Sequence, residues 1–177
     1  LWSWRSKNGM RQALRPEGGG LIYKLPDVNL KMSFEVGGFT QVNAKLNNLM
    51  VKRAMDLLQP SPGERIADLF CGLGNFTLPI ARSGAQVLGV EGLPDLVNRA
   101  KQNAVANHCQ GYVDFSVADL FKVNSSALDN WCNVDKVLLD PPRAGAHAVI
   151  EMLTQARRLH RIVYVSCNPA TFVRDAA

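Results

Sequence analysis

The sequence predicts an α/β fold built on a doubly wound, mainly parallel sheet. From residue 65 onward, apolar and β-branched runs alternate with helical patterns, and a glycine-containing turn follows the first of these runs. Strands that are buried on both faces read as continuous apolar runs of this kind. Because such alternation implies right-handed parallel crossovers, ligands are expected at the carboxyl ends of the strands.

The individual elements follow from local patterns and turn signals. Residues 1–40 are irregular apart from two extended stretches around the turn-like PDVN, which predict a β-hairpin and a small N-terminal β adjunct. The remaining residues, 41–177, are predicted to form the main domain. Strands are predicted at 65–71, 86–91, 112–117, 135–140 and 161–167, and helices at 42–58, 75–83, 94–107, 145–159, after 169 and, shorter, near 120–130.

Composition narrows the class of protein. The 177 residues are 47% apolar, which suits one complete core. A net charge of +5 is compatible with RNA as a partner, and equally with a solvated basic surface. No apolar run approaches a membrane span and no signal peptide is visible, so a cytoplasmic protein is predicted. The four cysteines lack ligand spacing, so neither a metal site nor a disulfide framework is predicted.

The turn after the first strand, DLFCGLGNFTL (68–78), predicts a nucleotide-like cofactor site. Gly72 and Gly74 would let backbone amides approach a ligand closely, a signal shared by nicotinamide, flavin and S-adenosylmethionine sites. Thr77 occupies the position of a third dinucleotide glycine, which disfavours pyrophosphate. Glu91 and Asp119 end the next two strands, where acids can meet a ribose and an adenine. Each acid alone could be a helix cap or a solvated loop residue, but together they favour S-adenosylmethionine.

The stretch LLDPPRAG (138–145) predicts a rigid turn at the end of the fourth strand. Each proline fixes its own φ and restrains the residue before it, so Asp140 is expected to face the cleft. A carboxylate there can accept a proton from a base ring NH, and Arg143 adds a planar cation. The alternative is a proline-rich strand end in which Asp140 caps the next helix.

The fifth strand runs into SCNP, which places Cys167 at the same sheet edge, just before a helix. A thiol at a helix N-terminus has a lowered pKa and is a better nucleophile. The alternative is a buried cysteine that packs as a small apolar residue, and this is the interpretation adopted for Cys71, Cys109 and Cys132. For Cys167 a catalytic role is predicted.

Four motifs together resemble the RNA uracil-C5 methyltransferases, and most closely the 23S ribosomal RNA branch. They are FTQVN (39–43), DLFCGLGNFTL, LLDPPRAG and VYVSCNPATFVRD, and the resemblance covers residues 37 to 177. It implies a Rossmann-like class I methyltransferase domain that binds S-adenosyl-L-methionine. The implied catalytic residues are Cys167 as nucleophile, Asp140 and Arg143; the implied cofactor-binding residues are Gln41, Phe70, Gly72, Gly74, Asn75, Glu91, Asp119 and Asp140.

The resemblance also implies the activity, which is methylation of uracil C5 in RNA, ribosomal rather than transfer RNA, through a cysteine–C6 adduct. The family's general base, a glutamate, would lie beyond residue 177, and any iron–sulfur cluster would lie before residue 1. We therefore expect a domain that lacks its last strands, has an open sheet edge and is inactive alone. The alternatives are a cytosine-C5 or exocyclic amino methyltransferase, a nucleotide-binding oxidoreductase and a non-catalytic RNA-binding module. The oligomeric state is left open.

Overall fold

A computed structural model describes residues 3–5, 11–13, 21–35, 43–122, 131 and 133–177. The strands are β1 Ser3–Arg5, β2 Arg11–Ala13, β3 Leu21–Leu25, β4 Leu30–Phe34, β5 Arg65–Leu69, β6 Gln86–Glu91, β7 Val113–Val117, β8 Lys136–Leu139 and β9 Arg161–Tyr164. The helices are α1 Ala44–Leu58, α2 Thr77–Ala81, α3 Pro94–Ala106, α4 His147–Leu153 and α5 Pro169–Ala176.

Five strands form one parallel sheet in the order β7-β6-β5-β8-β9. From β5 the chain adds β6 and β7 on one side, and it then returns to add β8 and β9 on the other side of β5. The direction of winding therefore changes at the position between β5 and β8. This is the doubly wound arrangement, and the predicted fold class is confirmed. The reversal places the ends of β5 and β8 beside each other, where open α/β sheets bind their ligands.

Apolar side chains cover both faces of the sheet, which explains why its central strands read as continuous apolar runs. All four residues of β8 are buried, as are residues 66–69 of β5. One core cluster joins the sheet to α1, α2 and the β3–β4 hairpin, with Leu30, Met32 and Leu58 nearly inaccessible. The second cluster contains the alternate residues of the same strands, such as Ala67 and Val137, and it also includes Trp131 and Val149.

The hairpin is fastened to α3 by asparagine side chains. Asn103 accepts hydrogen bonds from the Ser33 N–H (2.8 Å) and hydroxyl (2.7 Å) and donates to the Ser33 carbonyl (3.2 Å). One helical turn on, Asn107 accepts from the Lys31 N–H (2.9 Å) and donates to its carbonyl (2.8 Å). The hairpin therefore shares the core of the sheet. The predicted boundary between residues 40 and 41 falls outside the described residues and stays a prediction.

Several elements are shorter than predicted because turns replace their ends. The fifth sheet strand ends at Tyr164 rather than 167: Val165 N–H makes a last bond to Leu139 (2.7 Å), and the Ser166 hydroxyl then accepts from Asn168 N–H (3.1 Å) in a turn. Helix α4 spans seven residues of the predicted 145–159. The short helix predicted near 120–130 lies largely outside the described residues.

Candidate active site at the carboxyl edge of the sheet

The glycine turn between β5 and α2 has an unusual backbone. Phe70, Gly72 and Gly74 all have positive φ, at 68°, 56° and 95°. A bulky residue such as phenylalanine rarely adopts this conformation, and such residues concentrate at functional sites. The N–H groups of Phe70 and Cys71 both donate to the Val90 carbonyl, at 2.9 and 3.0 Å, which ties the turn to β6. A Cβ added at Gly72 would meet no atom within 4 Å, so the space beside the turn is open.

Glu91, the last residue of β6, lies against this turn as its position predicted. One carboxylate oxygen accepts from the Gly72 N–H at 3.1 Å, and the other accepts from the Leu93 N–H at 3.0 Å. The side chain thus joins the glycine turn to the start of α3. Because each carboxylate oxygen can accept two hydrogen bonds, Glu91 retains acceptor capacity for a ligand hydroxyl.

Asp68 is a site residue that the sequence analysis missed. Its side chain is fully buried, with Oδ2 accepting from the Thr77 hydroxyl at 2.5 Å and Oδ1 making no hydrogen bond to any described residue. Burial raises the pKa of Asp68 to about 7; the Thr77 hydrogen bond opposes this shift, and the nearby charges of Asp140 and Glu91 add to it. The sequence did contain a sign of this pair: Thr77 stands where a dinucleotide site would have its third glycine, and its hydroxyl is the hydrogen-bond partner of Asp68.

Asn75 makes protein contacts with its side chain. It forms a reciprocal amide pair with Asn47 of α1, both bonds being 2.9 Å, and its oxygen also accepts from the Tyr23 hydroxyl at 2.8 Å. These bonds brace the glycine turn against α1 and the hairpin. The predicted contact of Asn75 with a cofactor therefore stays a prediction that its side-chain partners do not favour.

Asp119 lies in the connection after β7, as predicted, and is exposed. Its carboxylate accepts from the Phe121 N–H at 3.0 Å in a local turn and lies 3.6 Å from the Lys122 ammonium. The Phe121 ring packs against Phe70, with centroids 5.6 Å apart. The connection therefore reaches the glycine turn. Gln41, predicted to bind the cofactor, lies outside the described residues.

Asp140 follows β8 directly, next to the end of β5. Its N–H points at the Leu69 carbonyl, 3.4 Å away. The side chain is half-buried, and burial raises the pKa of Asp140 to about 6. Asp68, Glu91 and Asp140 thus lie close together at the carboxyl ends of the strands. The negative charges of Glu91 and Asp140 add to the rise in the pKa of Asp68 that burial causes. Such an edge attracts cations and repels phosphates.

Cys167 is exposed at the start of α5, whereas Cys71 and Cys109 are buried. Asn168 caps α5 by accepting from the Ala170 N–H at 3.2 Å, and its amide donates to the Arg143 carbonyl at 3.1 Å. The Asn168 side chain therefore connects the turn that carries the thiol to the turn that begins at Asp140. The predicted meeting of these two turns at one sheet edge is what the structure shows, and the Arg143 side chain is exposed there.

Metal-binding and membrane-spanning features would indicate other classes of protein. Within the described ranges, no group of three or more His, Cys, Asp or Glu side chains is arranged to hold a metal ion. None of the helices described is both long and apolar enough to cross a membrane.

Comparison with known proteins identifies relatives of the whole chain. A family profile described as tRNA (uracil-5-)-methyltransferase matches residues 22–176. Two curated relatives named 23S rRNA (uracil(1939)-C(5))-methyltransferase RlmD, from Aromatoleum aromaticum and Azoarcus sp. strain BH72, are 53% and 49% identical over 100% of this chain. The chain spans 41% and 44% of their respective lengths.

A solved structure shows a similar fold. It is the Pyrococcus abyssi tRNA (uracil-54, C5)-methyltransferase in complex with S-adenosyl-L-homocysteine. The match has a TM-score of 0.73 and 29% sequence identity, and it covers 88% of this chain and 36% of that one.

Proposed function

This chain belongs to the tRNA (uracil-5-)-methyltransferase family, and from that premise we propose that it is the catalytic part of an enzyme that methylates uracil C5 in RNA with S-adenosyl-L-methionine. The observation that supports this most directly is the exposed thiol of Cys167, fastened by Asn168 to the turn that follows Asp140. A nucleophile and a base-binding carboxylate thus lie on adjacent turns.

The glycine turn suits S-adenosylmethionine better than a dinucleotide. The cofactor carries a sulfonium and an ammonium group, whereas a dinucleotide carries a pyrophosphate. Glu91 and Asp140 are partly exposed carboxylates that supply negative charge at this edge, whereas burial raises the pKa of Asp68 to about 7 and keeps its side chain away from solvent. We assign Glu91 to the ribose hydroxyls, the backbone of the Gly72–Gly74 turn to the methionine part, and Asp119 to the adenine. The same acidic edge argues against a nicotinamide or flavin oxidoreductase.

The reaction needs a nucleophile because uracil C5 is a weak carbon nucleophile. The Cys167 thiolate adds to C6, forming the S–C6 bond while the electrons of the C5–C6 double bond shift toward C5 and the O4 carbonyl. The Asp140 carboxylate holds the edge of the uracil ring by accepting a hydrogen bond from the ring N–H. When bound, S-adenosylmethionine would supply an electrophilic methyl group: as the C5–CH3 bond forms, the sulfonium S–CH3 bond would break, leaving the neutral thioether S-adenosylhomocysteine. A base then removes the C5 proton, the double bond re-forms and the thiolate leaves; by resemblance, this base is a glutamate.

The substrate is proposed to be ribosomal RNA, because the curated relatives are named as 23S rRNA enzymes. The target base must leave its stack to reach the thiol. A cytoplasmic location follows from that substrate. Cytosine-C5 methylation uses the same thiolate addition, and a non-catalytic RNA-binding module would leave the exposed Cys167 without a role; family membership favours uracil over both.

Trapping of the covalent adduct tests the proposal. In the full-length protein, 23S rRNA transcripts containing 5-fluorouridine should give a denaturant-stable, cofactor-dependent complex, because fluorine cannot leave C5 as a cation. Cys167→Ser should abolish the complex. Cys109→Ser is the matched control, since Cys109 is buried and its thiol bonds the Asn107 carbonyl at 3.4 Å, a contact that serine can also make. A trapped complex from the Cys167→Ser protein would refute the assignment.

A further inference from the structure

The proposed chemistry requires two separate turns to keep a fixed geometry. One turn, residues 140–146, carries Asp140 between β8 and α4; the other, residues 165–168, carries Cys167 between β9 and α5. The bond from Asn168 to the Arg143 carbonyl is one link, but it is exposed. An exposed neutral hydrogen bond competes with water and contributes little net stability, so it holds a reactive geometry only weakly.

A second link is buried beneath both turns, and its centre is Asp175 on the last turn of α5. Asp175 is 4% exposed. Its Oδ2 accepts from the Ala146 N–H at 2.6 Å and from the Tyr164 hydroxyl at 2.7 Å. Its Oδ1 accepts from Arg174 Nε at 2.8 Å, and Arg174 Nη2 also donates to the Ala144 carbonyl at 2.9 Å. One carboxylate therefore contacts the Asp140 turn, the end of β9 and α5 together.

Two features of its position disfavour the negative charge of the Asp175 carboxylate. It lies near the C-terminal end of a helix, where the macrodipole disfavours negative charge, and it is buried. Burial by itself would raise the pKa of Asp175, but the bonds from Ala146, Tyr164 and Arg174 lower it below its usual range. The charged form is therefore stabilised by Ala146 of the Asp140 turn, by Tyr164 at the end of β9 and by the neighbouring Arg174 on α5 itself.

The Asp140 turn is shaped to receive Asp175. Gly145 has φ +81°, and a Cβ added there would lie 2.4 Å from Asp175 Oδ2 and 2.6 Å from Arg174 Nη2. A side chain at this position would clash with the Asp175 carboxylate and the Arg174 guanidinium unless these groups shifted, and the positive φ would be strained, so glycine lets the turn lie close to α5. The glycine of DPPRAG and the aspartate of VRD thus form one contact, although 30 residues separate them in the chain.

We propose that Asp175 is a positioning residue that holds the Asp140 turn against α5, so that Asp140 and Cys167 face the same uracil ring. The inference rests on the proposed function. Asp175 does not touch the substrate; it acts through the backbone of residues 144–146 and through Tyr164. The glycine turn that is assigned to the cofactor is stabilised separately, by Glu91 and the Val90 carbonyl. Loss of the Asp175 carboxylate should therefore slow adduct formation and leave cofactor binding intact.

The test compares variants of the full-length protein in single-turnover trapping with saturating 5-fluorouridine RNA. Asp175→Asn should lower the rate constant of adduct formation by about 10- to 100-fold, because a displacement of about 1 Å can cost this much. Arg174→Gln, at a side chain that is half exposed, should lower this rate constant several-fold. In both variants the Kd for S-adenosylhomocysteine should stay within about two-fold of the parent. Asp114→Asn, exposed on β7 at the opposite sheet edge, is the matched control.

The outcomes separate this inference from the proposed function. If the parent protein forms no adduct, the proposed chemistry fails first. If the parent reacts and both variants react at its rate, the positioning role is refuted. Should Asp175→Asn lose S-adenosylhomocysteine binding through misfolding, Arg174→Gln decides alone: a parental rate refutes the role, and a several-fold slower rate with normal cofactor affinity supports it. The role would also be refuted if the variants needed a different RNA concentration for half-saturation but reacted at the parental rate when saturated.

Discussion

Replacing Asn103 with alanine should loosen the β3–β4 hairpin from α3. The Asn103 side chain is fully buried and makes four hydrogen bonds, three to Ser33 and one to the Leu73 carbonyl at 3.1 Å. Each bond contributes about 1 kcal/mol net, and a buried group left without a partner costs about 1–3 kcal/mol. Water can reach the partly exposed Ser33, but it reaches the Leu73 side poorly. We therefore expect a loss of about 3 kcal/mol in the free energy of docking the hairpin.

A matched control removes the effect of helix propensity. Alanine is a better helix former than asparagine by about 0.5 kcal/mol, so this effect opposes the predicted loss. Asn98 lies on the same helix and is exposed. Asn98→Ala should therefore be neutral or slightly stabilising, and the difference between the two variants isolates the buried hydrogen bonds.

Hydrogen–deuterium exchange in the full-length protein is the appropriate assay, because it reports the hairpin separately from other parts. Amides of residues 30–34 should exchange about 100-fold faster in Asn103→Ala, which corresponds to about 3 kcal/mol of local opening. Amides of the buried strand β8 should change much less. Equal protection of the hairpin in Asn103→Ala and Asn98→Ala would refute the reasoning.

Two further predictions concern the acidic edge. Glu91→Ala should weaken S-adenosylhomocysteine binding by about 1–3 kcal/mol, as measured by calorimetry, because a charged acceptor and the brace to Gly72 are both lost; unchanged affinity would contradict its assignment to the ribose. The pKa of Asp68 is about 7 in the folded chain against 3.8 as the reference value, so the folded state holds a proton that the unfolded state releases, and stability falls as pH rises from about 4 to about 7. Asp68→Asn should remove this decline, which Tm values at pH 5 and pH 8 would reveal; a decline of the same size in the variant would count against the shift.

The sheet was predictable because its signals are local. Continuous apolar runs identify buried parallel strands, and all five predicted strands are present in the sheet. Their ends were less predictable, since a strand stops where a side chain offers the backbone another partner. Ser166 offers such a partner just after β9, which ends at Tyr164, three residues before the predicted end at 167. The acids at strand ends, Glu91 and Asp140, were predictable for the same local reason as the strands.

The supporting contacts were not predictable, because they join distant parts of the chain. Asn103 and Ser33 are 70 residues apart, and Asp175 and Ala146 are 29 apart. In the sequence, Asn103 reads as an ordinary polar helix residue, although it lies on the face that also buries Ala100 and Ala104. A polar residue on an apolar helix face is the one local sign that a buried partner exists, but it does not say which partner.

The two halves of the candidate site are stabilised by different networks, and this has a consequence for how variants should behave. The glycine turn depends on β6 through Glu91 and Val90, whereas the Asp140 and Cys167 turns depend on α5 through Asp175. The halves meet where Asp140 N–H approaches the Leu69 carbonyl between β5 and β8. Because these strands are buried and paired along their length, a disturbance in one half should reach the other weakly. Defects in cofactor binding and in adduct formation should therefore be close to additive when a Glu91 variant and an Asp175 variant are combined.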